Sequence, residues 1–390
     1  MNLLLTILFL FFFGLAQSDG QVITRNDSLE LPKSVFDAPV DFSGWKGNKQ
    51  NPQIIKEIRI GLFMPADSLN LLSQQMMRAA SMAIEEINLS GGYHGIPYVL
   101  INRWATNPWG AGSKEVIKLV YRDSVWAVIG SIAGAATHVA EQIVTKAWLP
   151  LLSPISADPT LTYIRIPWIF RLPPDFKAQS EIIVNEGIRT GHLEQVGLIT
   201  ENNHDGHIFA KELNDVMNEM EVFPIFHFEV NSSDLDIQSI VQRMISFHPA
   251  SIIICLSQEK IIKMLSELEI HKQLIDVFLP WIAGLNGDKL KQYYGGQIYC
   301  IEPFLRSNDP IYKVFAGRYQ KRYQSKPLFG AAYTYDAVHI LARAFQKSGL
   351  NRARLRDAIG AMDEIQGVTG KICWDNGGGN QTQPVLRALK

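Results

Sequence analysis

The stretch VWAVIGSIAGAATHVAEQIVTKAWLPLLSPISADPTLT, residues 125–162, decides the fold. It begins with the apolar run 125–131, continues through a segment that predicts a helix over 136–147, and reaches a second apolar run at 149–153. Short runs that are apolar throughout are typical of parallel strands that helices cover on both faces. The stretch therefore predicts a strand–helix–strand unit with a right-handed crossover.

The same alternation extends in both directions from this stretch. In the predicted helix 74–89, Met77, Ala80 and Ile84 recur every three to four residues, and Gly91 ends the helix. The other predicted strands are 58–64, 98–102, 195–200, 223–230, 251–257, 277–282, 297–304 and the strand-like 370–375; the other predicted helices are 113–122, 176–190 with Asp175 as its cap, 207–220, 235–247, 259–271, 287–294, 310–324, 330–348 and 352–362.

This alternation predicts a doubly wound α/β architecture with parallel sheets. Pro173-Pro174 interrupts the alternation halfway along the chain, which favours two α/β lobes joined there. The composition agrees, because a chain of 390 residues usually divides into two domains or lobes. With 37 Lys and Arg against 38 Asp and Glu, the net charge of −1 gives no reason to expect nucleic acid or an anionic membrane as a partner.

The first residues differ in composition from the rest of the chain. The run 3–13 contains one polar residue, and Gly14 and Ala16 supply the small residues that a signal peptidase requires. We therefore expect residues 1–16 to be a cleaved signal peptide, although no Lys or Arg precedes the run and an uncleaved anchor is the alternative. Residues 17–56 lack periodicity and are expected to form an extended lead-in.

The three cysteines are too few for a disulfide scaffold. Cys300 and Cys373 lie in strand-like runs, and the sequence leaves open whether they pair. Cys255, inside an apolar run, is expected to be a buried free thiol.

Motifs for enzymatic chemistry are missing from the sequence. There is no Gly-x-Ser-x-Gly, no His-Glu-x-x-His, and the glycines of 110–114 lack the spacing of a phosphate-binding loop. The run His204-Asp205-Gly206-His207 is compatible with a turn and helix cap, with ligand contact, or with a metal site. Overall the sequence predicts no enzyme activity, no cofactor and no bound metal.

The ends of two strands carry groups that can bind a small molecule. Ligands of open parallel sheets bind beyond the carboxyl ends of the strands. There the sequence places the small residues 131–137 and the hydroxyl-bearing run 153–159. Backbone N–H groups at the start of a helix can bind an anion, although small residues also simply allow close packing. These loops are therefore candidates for a carboxylate or polyol site.

In order and spacing, these pieces resemble the leucine/isoleucine/valine-binding family of periplasmic solute-binding proteins, the type I fold used by branched-chain amino-acid ABC transporters. The resemblance runs from Ile58 to Trp374 and is carried by 58–65, 76–100, 125–162, 166–176, 331–345 and 370–375. It implies two doubly wound parallel-sheet lobes joined by a three-stranded hinge. One lobe would hold 57–172 and 303–366, and the other 173–302 and 367–390.

The resemblance also points to candidate ligand contacts. Amino-acid binders of the family use a hydroxyl, a threonine, an aromatic and an acidic residue, and the matching positions here are Gly134, Ala157, Asp205 and Ala283. All four anchors differ from the family pattern, so the seats for an ammonium and a carboxylate group are not reproduced. Ser156 can replace the threonine, and Asp205 can supply negative charge from another wall. The candidate ligand-binding residues are Gly134, Ala135, Ala136, Ser156, Ala157, Asp205, Ser257 and Ala283.

Three aromatic residues are candidates either for walls of the binding cleft or for the core: Trp109, Trp281 and Tyr335. The expected function is that of an exported, periplasmic or secreted binding protein. It would act as a monomer, capture a small polar, amino-acid-like or related ligand, and deliver it to an ABC transporter permease. The alternative is a ligand sensor that presents its closed form to a membrane signalling receptor. An exported hydrolase would require His204 and His207 to converge with a carboxylate.

Overall fold

The strand–helix–strand unit predicted for 125–162 is present in the computed structural model. Strand β3 spans Ala127–Ile129, helix α3 spans Gly134–Lys146 and strand β4 spans Leu151–Ser153. The two strands are parallel neighbours, with Val128 opposite Leu151. Their side chains are buried, as strands covered on both faces require.

The structure describes residues 55–65, 69–106, 108–231, 237–306 and 309–389, without the side chains of 108 and 109. The predicted signal peptide, 1–16, and most of the predicted lead-in, 17–56, lie outside the described residues. The remaining strands are β1 Ile58–Met64, β2 Tyr98–Trp104, β5 Ile169–Arg171, β6 Val196–Glu201, β7 Phe226–Val230, β8 Ser251–Cys255, β9 Asp276–Leu279, β10 Ile298–Glu302, β11 Ile365–Gly367, β12 Gly370–Ile372 and β13 Val385–Ala388.

The helices follow the predicted pattern with shifted ends. They are α1 Leu71–Leu89, α2 Ser113–Ile117 between the π-helical turns Pro108–Gly112 and Lys118–Arg122, α4 Thr160–Tyr163, α5 Phe176–Arg189, α6 His204–Glu219, α7 Ile237–Ile245, α8 Gln258–Ile270, α9 Pro310–Tyr323, α10 Phe329–Ser348 and α11 Arg352–Gly360. The predicted helix 287–294 consists of two 3₁₀ turns, Gly287–Lys289 and Lys291–Tyr293.

The strands form two main sheets with the same internal order. The first sheet has the order β2-β1-β3-β4-β5, and all its pairs are parallel. The second has the order β13-β10-β9-β8-β6-β7, in which β13 is antiparallel to β10 and the other pairs are parallel. We call the part built on the first sheet lobe 1 and the part built on the second lobe 2. The strand order reverses between β1 and β3 and again between β6 and β8, which confirms a doubly wound α/β fold with two lobes.

Two helices begin earlier than the sequence predicts, and both shifts affect the carboxyl edges of the sheets. Helix α6 begins at His204 instead of 207, because the Asn203 side chain caps it by accepting a hydrogen bond from the Gly206 N–H at 2.9 Å. Helix α3 begins at Gly134 instead of 136. The predicted cap of α5 is confirmed, since the Asp175 carboxylate accepts a hydrogen bond from the Ala178 N–H at 2.8 Å.

The segment after β12 contacts lobe 1 before the chain joins the second sheet as β13. Arg171 forms a parallel bridge with Gly379, and the Asn380 side chain donates a hydrogen bond to the Leu172 carbonyl at 2.7 Å. The lobe boundaries at 172/173, 302/303 and 366/367 stay predictions, and these contacts favour a third boundary near Asn380.

The described cysteines are free. Cys255 and Cys300 are buried and Cys373 is half-buried, so the structure has no Cys300–Cys373 disulfide. None of the helices in the described residues is long and apolar enough to cross a membrane.

Candidate functional site

The two lobes meet where loops leave the carboxyl ends of their strands. Lobe 1 contributes the start of α3 and the loop after β4, and lobe 2 contributes the first turn of α6. Four titratable side chains come together there: His138, Asp158, His204 and Asp205. We refer to these four residues as the polar cluster.

Asp158 lies at the centre of the polar cluster and is fully buried. Its Oδ1 accepts hydrogen bonds from the N–H and the hydroxyl of Thr160, at 2.8 and 2.7 Å. Its Oδ2 lies 2.6 Å from His204 Nε2 and 3.2 Å from His138 Nε2. Burial opposes ionisation of this carboxyl, but the hydrogen bonds from the two imidazoles and Thr160 outweigh burial and hold its pKa well below the usual range.

His138 lies one helical turn after Gly134 on α3. Its Nδ1 is 2.7 Å from Glu141 Oε2, and its Nε2 is 2.8 Å from the Thr160 hydroxyl. Burial alone would lower its pKa, yet the hydrogen bonds to Asp158 and Glu141 raise the pKa of His138 to about 9. The hydrogen bond to Asp158 likewise raises the pKa of His204. His138 is therefore cationic at neutral pH, and the Asp158 carboxylate lies between the two imidazoles.

Asp205 connects the lobes through the start of a helix. Its Oδ1 accepts a hydrogen bond from the Gly134 N–H at 2.9 Å, so a carboxylate of lobe 2 lies at the N-terminus of α3 in lobe 1. Free N–H groups and the helix dipole favour a negative charge at this position. Desolvation nevertheless raises the pKa of Asp205 to about 6.

Glycine at position 134 allows this close approach. A Cβ atom added there would collide with Asp158 Oδ2 and lie 2.8 Å from Asp205 Oδ1. A further interlobe contact lies nearby, where the Tyr163 hydroxyl donates a hydrogen bond to Glu212 Oε2 at 3.0 Å.

An apolar cavity lies on the other side of the loop that follows β4. Its volume of about 10 Å³ is the room that one water molecule needs. It is lined by Leu72, Ile155, Trp281, Ala283 and Phe329, together with Gln75 on α1 and the neighbouring residues around the start of α10 and after β9. We call the first five of these residues the apolar pocket. Trp281 is buried and packs against Phe329 and Tyr333.

A family comparison agrees with this architecture. Residues 57–388 match the family model described as "Periplasmic binding protein". The chain belongs to the periplasmic binding protein family.

Proteins similar to this chain are found at low sequence identity. A curated "Amino acid binding protein" of Pseudomonas aeruginosa is 21% identical over 345 residues, which cover 83% of this chain and 87% of the relative. The structure of the branched-chain amino acid transporter substrate binding protein LivJ from Streptococcus pneumoniae, in complex with isoleucine, has a TM-score of 0.75 and 22% identity and covers 85% of this chain and 100% of that one. An ABC transporter solute binding protein from R. palustris, in complex with benzoate, has a TM-score of 0.76 and 15% identity, with coverage of 86% and 93%.

Of the predicted ligand contacts in this periplasmic binding protein, Gly134 and Asp205 touch each other across the lobes. Ser156 is buried, and its hydroxyl accepts a hydrogen bond from the Asp158 N–H at 3.3 Å. Ala157 is buried beside it, and its carbonyl accepts a hydrogen bond from the Phe176 N–H. All of these positions lie at the interlobe edge, and their contact with a ligand stays a prediction.

The other predicted contacts are more scattered. Ala135 is half-buried on the first turn of α3, whereas Ala136 packs into the core of lobe 1. Ser257 is exposed at the start of α8, where its N–H donates a hydrogen bond to Glu201 Oε2 at 3.0 Å. Ala283 lies in the apolar pocket, apart from the polar cluster.

The three aromatic candidates lie in different parts of the molecule. Trp281 lines the apolar pocket, Tyr335 packs in the core against Phe315, and the side chain of Trp109 lies outside the described residues.

His138 and Asp158 were not predicted as site residues from the sequence. Asp158 was visible as the acidic member of the run 153–159 after a strand. His138 stands four residues after Gly134, one turn along the same helix face. Nothing in the sequence alone shows that these residues face His204, because that contact depends on how the lobes meet.

Proposed function

We propose that this periplasmic binding protein is an exported solute-binding protein that captures a small carboxylate with an apolar body, amino-acid-like or related, between its lobes. It delivers this ligand to an ABC transporter permease. The family supports a binding role, and neighbours in complex with isoleucine and with benzoate support this ligand class.

The observation that carries the proposal is the hydrogen bond between Gly134 N–H and Asp205. A carboxylate oxygen already fits at 2.9 Å from the first N–H of α3, so the position accepts the chemical group that we assign to the ligand. The cationic His138 adds positive charge beside it, and the hydrogen bond to Asp158 favours the cationic form of His204. A ligand carboxylate would take the place of the Asp205 side chain.

The apolar pocket supports the proposal that the ligand has an apolar body as well as a carboxylate. Ile155, Trp281 and Phe329 present hydrocarbon surface from both lobes to the same space. The cavity between them has room for one water molecule, so an apolar ligand group would have to widen it. Burial of that group would contribute about 25 cal/mol per Å² of surface removed from water. A ligand that touches the polar cluster with one end and the apolar pocket with the other stabilises the closed arrangement by its differential affinity.

The test is calorimetric titration of the exported chain with isoleucine, leucine and benzoate, and with glucose and spermidine as chemically unlike controls. We expect binding of at least one carboxylate and none of the controls. Asp205→Ala removes the side chain that competes with a ligand carboxylate for the Gly134 N–H. We expect this variant to bind carboxylates about tenfold more tightly, or by about 1.4 kcal/mol. Asp215→Ala, an exposed position on the same helix, is the matched control and should change nothing. Weaker binding by Asp205→Ala would show instead that Asp205 holds a cationic group of the ligand.

Export is tested separately by mass spectrometry of the protein from its native host. We expect the mature chain to begin at Gln17, and recovery of the exported protein with Met1 intact would contradict signal cleavage.

A further inference from the structure

Three residues of the polar cluster present metal-ligating atoms to one point. His138, Asp158 and His204 each offer one such atom, and the three atoms all lie within 4.8 Å of one another. Two imidazole nitrogens with one carboxylate oxygen form a donor set that suits zinc and its neighbours in the first transition series. Calcium and magnesium prefer sites built from oxygen alone.

One of the distances between these atoms already matches that of a tetrahedral site. Ligand atoms about 2.0–2.1 Å from a tetrahedral zinc ion stand about 3.3 Å apart. His138 Nε2 and Asp158 Oδ2 are 3.2 Å apart, which already matches this spacing. His204 Nε2 is 2.6 Å from the same oxygen, so the His204 side chain has to move away from Asp158 by about 0.7 Å to reach this spacing. His204 is the most exposed of the three side chains, at 36%, and it lies on the opposite lobe.

Neighbouring groups orient these donors as the outer partners of a metal site do. Glu141 is nearly buried and accepts a hydrogen bond from His138 Nδ1 at 2.7 Å, which holds the Nδ1 proton and makes Nε2 the nitrogen that binds an ion once the metal displaces its proton. Thr160 holds the other oxygen of Asp158 through its N–H and its hydroxyl. On metal binding, the contact of His138 Nε2 with Thr160 is replaced by the bond to the ion.

We propose that His138, Asp158 and His204 bind a divalent transition-metal ion of the zinc type, which bridges the two lobes. Lobe 1 supplies two ligands and lobe 2 supplies the third, so the ion holds the lobes together. A fourth position of a tetrahedral ion is left for water or for an oxygen of a ligand carboxylate. Metal binding needs no organic ligand, so it can hold or fail independently of the proposed transport function.

The rival explanation is that the cluster is an interlobe ion pair and binds no metal. The test uses the exported chain, purified without a histidine tag, stripped with a chelator and titrated with Zn²⁺ and Co²⁺. Binding is followed by calorimetry, by the visible absorption of Co²⁺ and by the melting temperature. Mg²⁺ and Ca²⁺ serve as negative controls.

Two substitutions probe the ligands, and one matched substitution controls for them. We expect one Zn²⁺ per chain, with affinity reduced at least about 100-fold in His204→Gln and in Asp158→Asn and about tenfold in Glu141→Gln. His207→Gln changes an exposed histidine on the same helix, bonded to Asn202, and should leave affinity unchanged. Zn²⁺ should raise the melting temperature of the unsubstituted chain and of His207→Gln but not that of His204→Gln.

Circular dichroism shows whether each variant is folded, and Glu141→Gln, which keeps all three ligands, serves if another variant does not fold. Failure of the unsubstituted chain to bind Zn²⁺ and Co²⁺ would overturn the proposal. Unchanged affinity in His204→Gln would also overturn it, because the ion would then not bridge the lobes. Binding of isoleucine or benzoate without any binding of Zn²⁺ would reject the metal site and leave the transport proposal intact.

Discussion

The polar cluster and the apolar pocket are two ends of one interlobe region, built in opposite ways. Both use the loop after β4, which places Asp158 at one end and Ile155 at the other, and both receive a partner from lobe 2. At the polar end, the lobes are joined by hydrogen bonds and ion pairs among buried or half-buried charges. At the apolar end, side chains from both lobes surround a small cavity.

We expect the two ends to make different contributions to ligand selection. Charged groups lose hydration when buried and are stable only in the right geometry, so we expect the polar end to select the orientation and chemistry of a ligand. Apolar contact is non-directional and its free energy grows with the area buried, so we expect the apolar end to select the size of a ligand. We infer that closure depends on both ends, and the experiments below act on them separately.

The largest expected effect on stability comes from emptying the apolar end. Ile155, in the loop after β4, is buried against the start of α10. Ile155→Ala removes most of this side chain and should lower the free energy of unfolding by about 3 kcal/mol. Chemical denaturation measures this loss. The enlarged pocket should also shift binding preference from isoleucine toward benzoate, whereas an unchanged preference would show that Ile155 does not set ligand size.

At the polar end, Gly134→Ala should weaken carboxylate binding about 100-fold, or about 2.7 kcal/mol, because the added methyl group occupies the space of Asp158 and Asp205. Calorimetric titration is the measurement. Gly317→Ala is a matched control, since a Cβ atom at this helical position meets no atom within 4 Å. Equal binding by both variants would place the ligand elsewhere.

Helix α10 carries Phe329 of the apolar pocket, and its residue His339 should make the stability of the fold depend on acid pH. Burial lowers the pKa of His339 from 6.5 to about 4. The unfolded chain therefore takes up a proton near pH 6.5 and the folded chain only near pH 4, so stability is lost as the pH falls through this interval. The contribution of His339 to the loss is about 3 kcal/mol.

His339→Leu should remove that part of the acid dependence, measured as the free energy of unfolding at pH 7 and pH 4. Burial raises the pKa of Asp336, on the same helix, to about 6, which acts in the opposite direction. Asp336 is present in both proteins, so its effect cancels in the comparison. Parallel pH curves for the two proteins would show that His339 titrates normally.

The smallest expected effect concerns the interlobe hydrogen bond beside the polar cluster. Tyr163→Phe removes the hydroxyl that donates to Glu212 and should cost about 1 kcal/mol. Because this bond joins the lobes, the variant should bind ligand slightly more weakly while each lobe keeps its own structure. Thermal unfolding and titration together check this, and tighter ligand binding would contradict it.

Much of the architecture was accessible from the sequence. Continuous apolar runs such as 125–131 and 251–257 predicted the buried parallel strands, and the Pro173-Pro174 interruption predicted two lobes. Helix starts were predicted less well, because an N-cap such as Asn203 is recognised by its bond to the Gly206 N–H. Strand β13 was missed, since 385–388 is an edge strand without a long apolar run.

The sequence by itself determined the α/β class, the two lobes and the sheet edge at which to look for a site. This is because apolar periodicity and the positions of glycine and proline that interrupt it are local properties of the chain. It identified Gly134 and Asp205 as candidates but not their contact. Only the tertiary structure decided that His138 and Asp158 of one lobe face His204 of the other. These residues are far apart along the chain, and no local pattern records the way in which two separately wound sheets bring their carboxyl edges together.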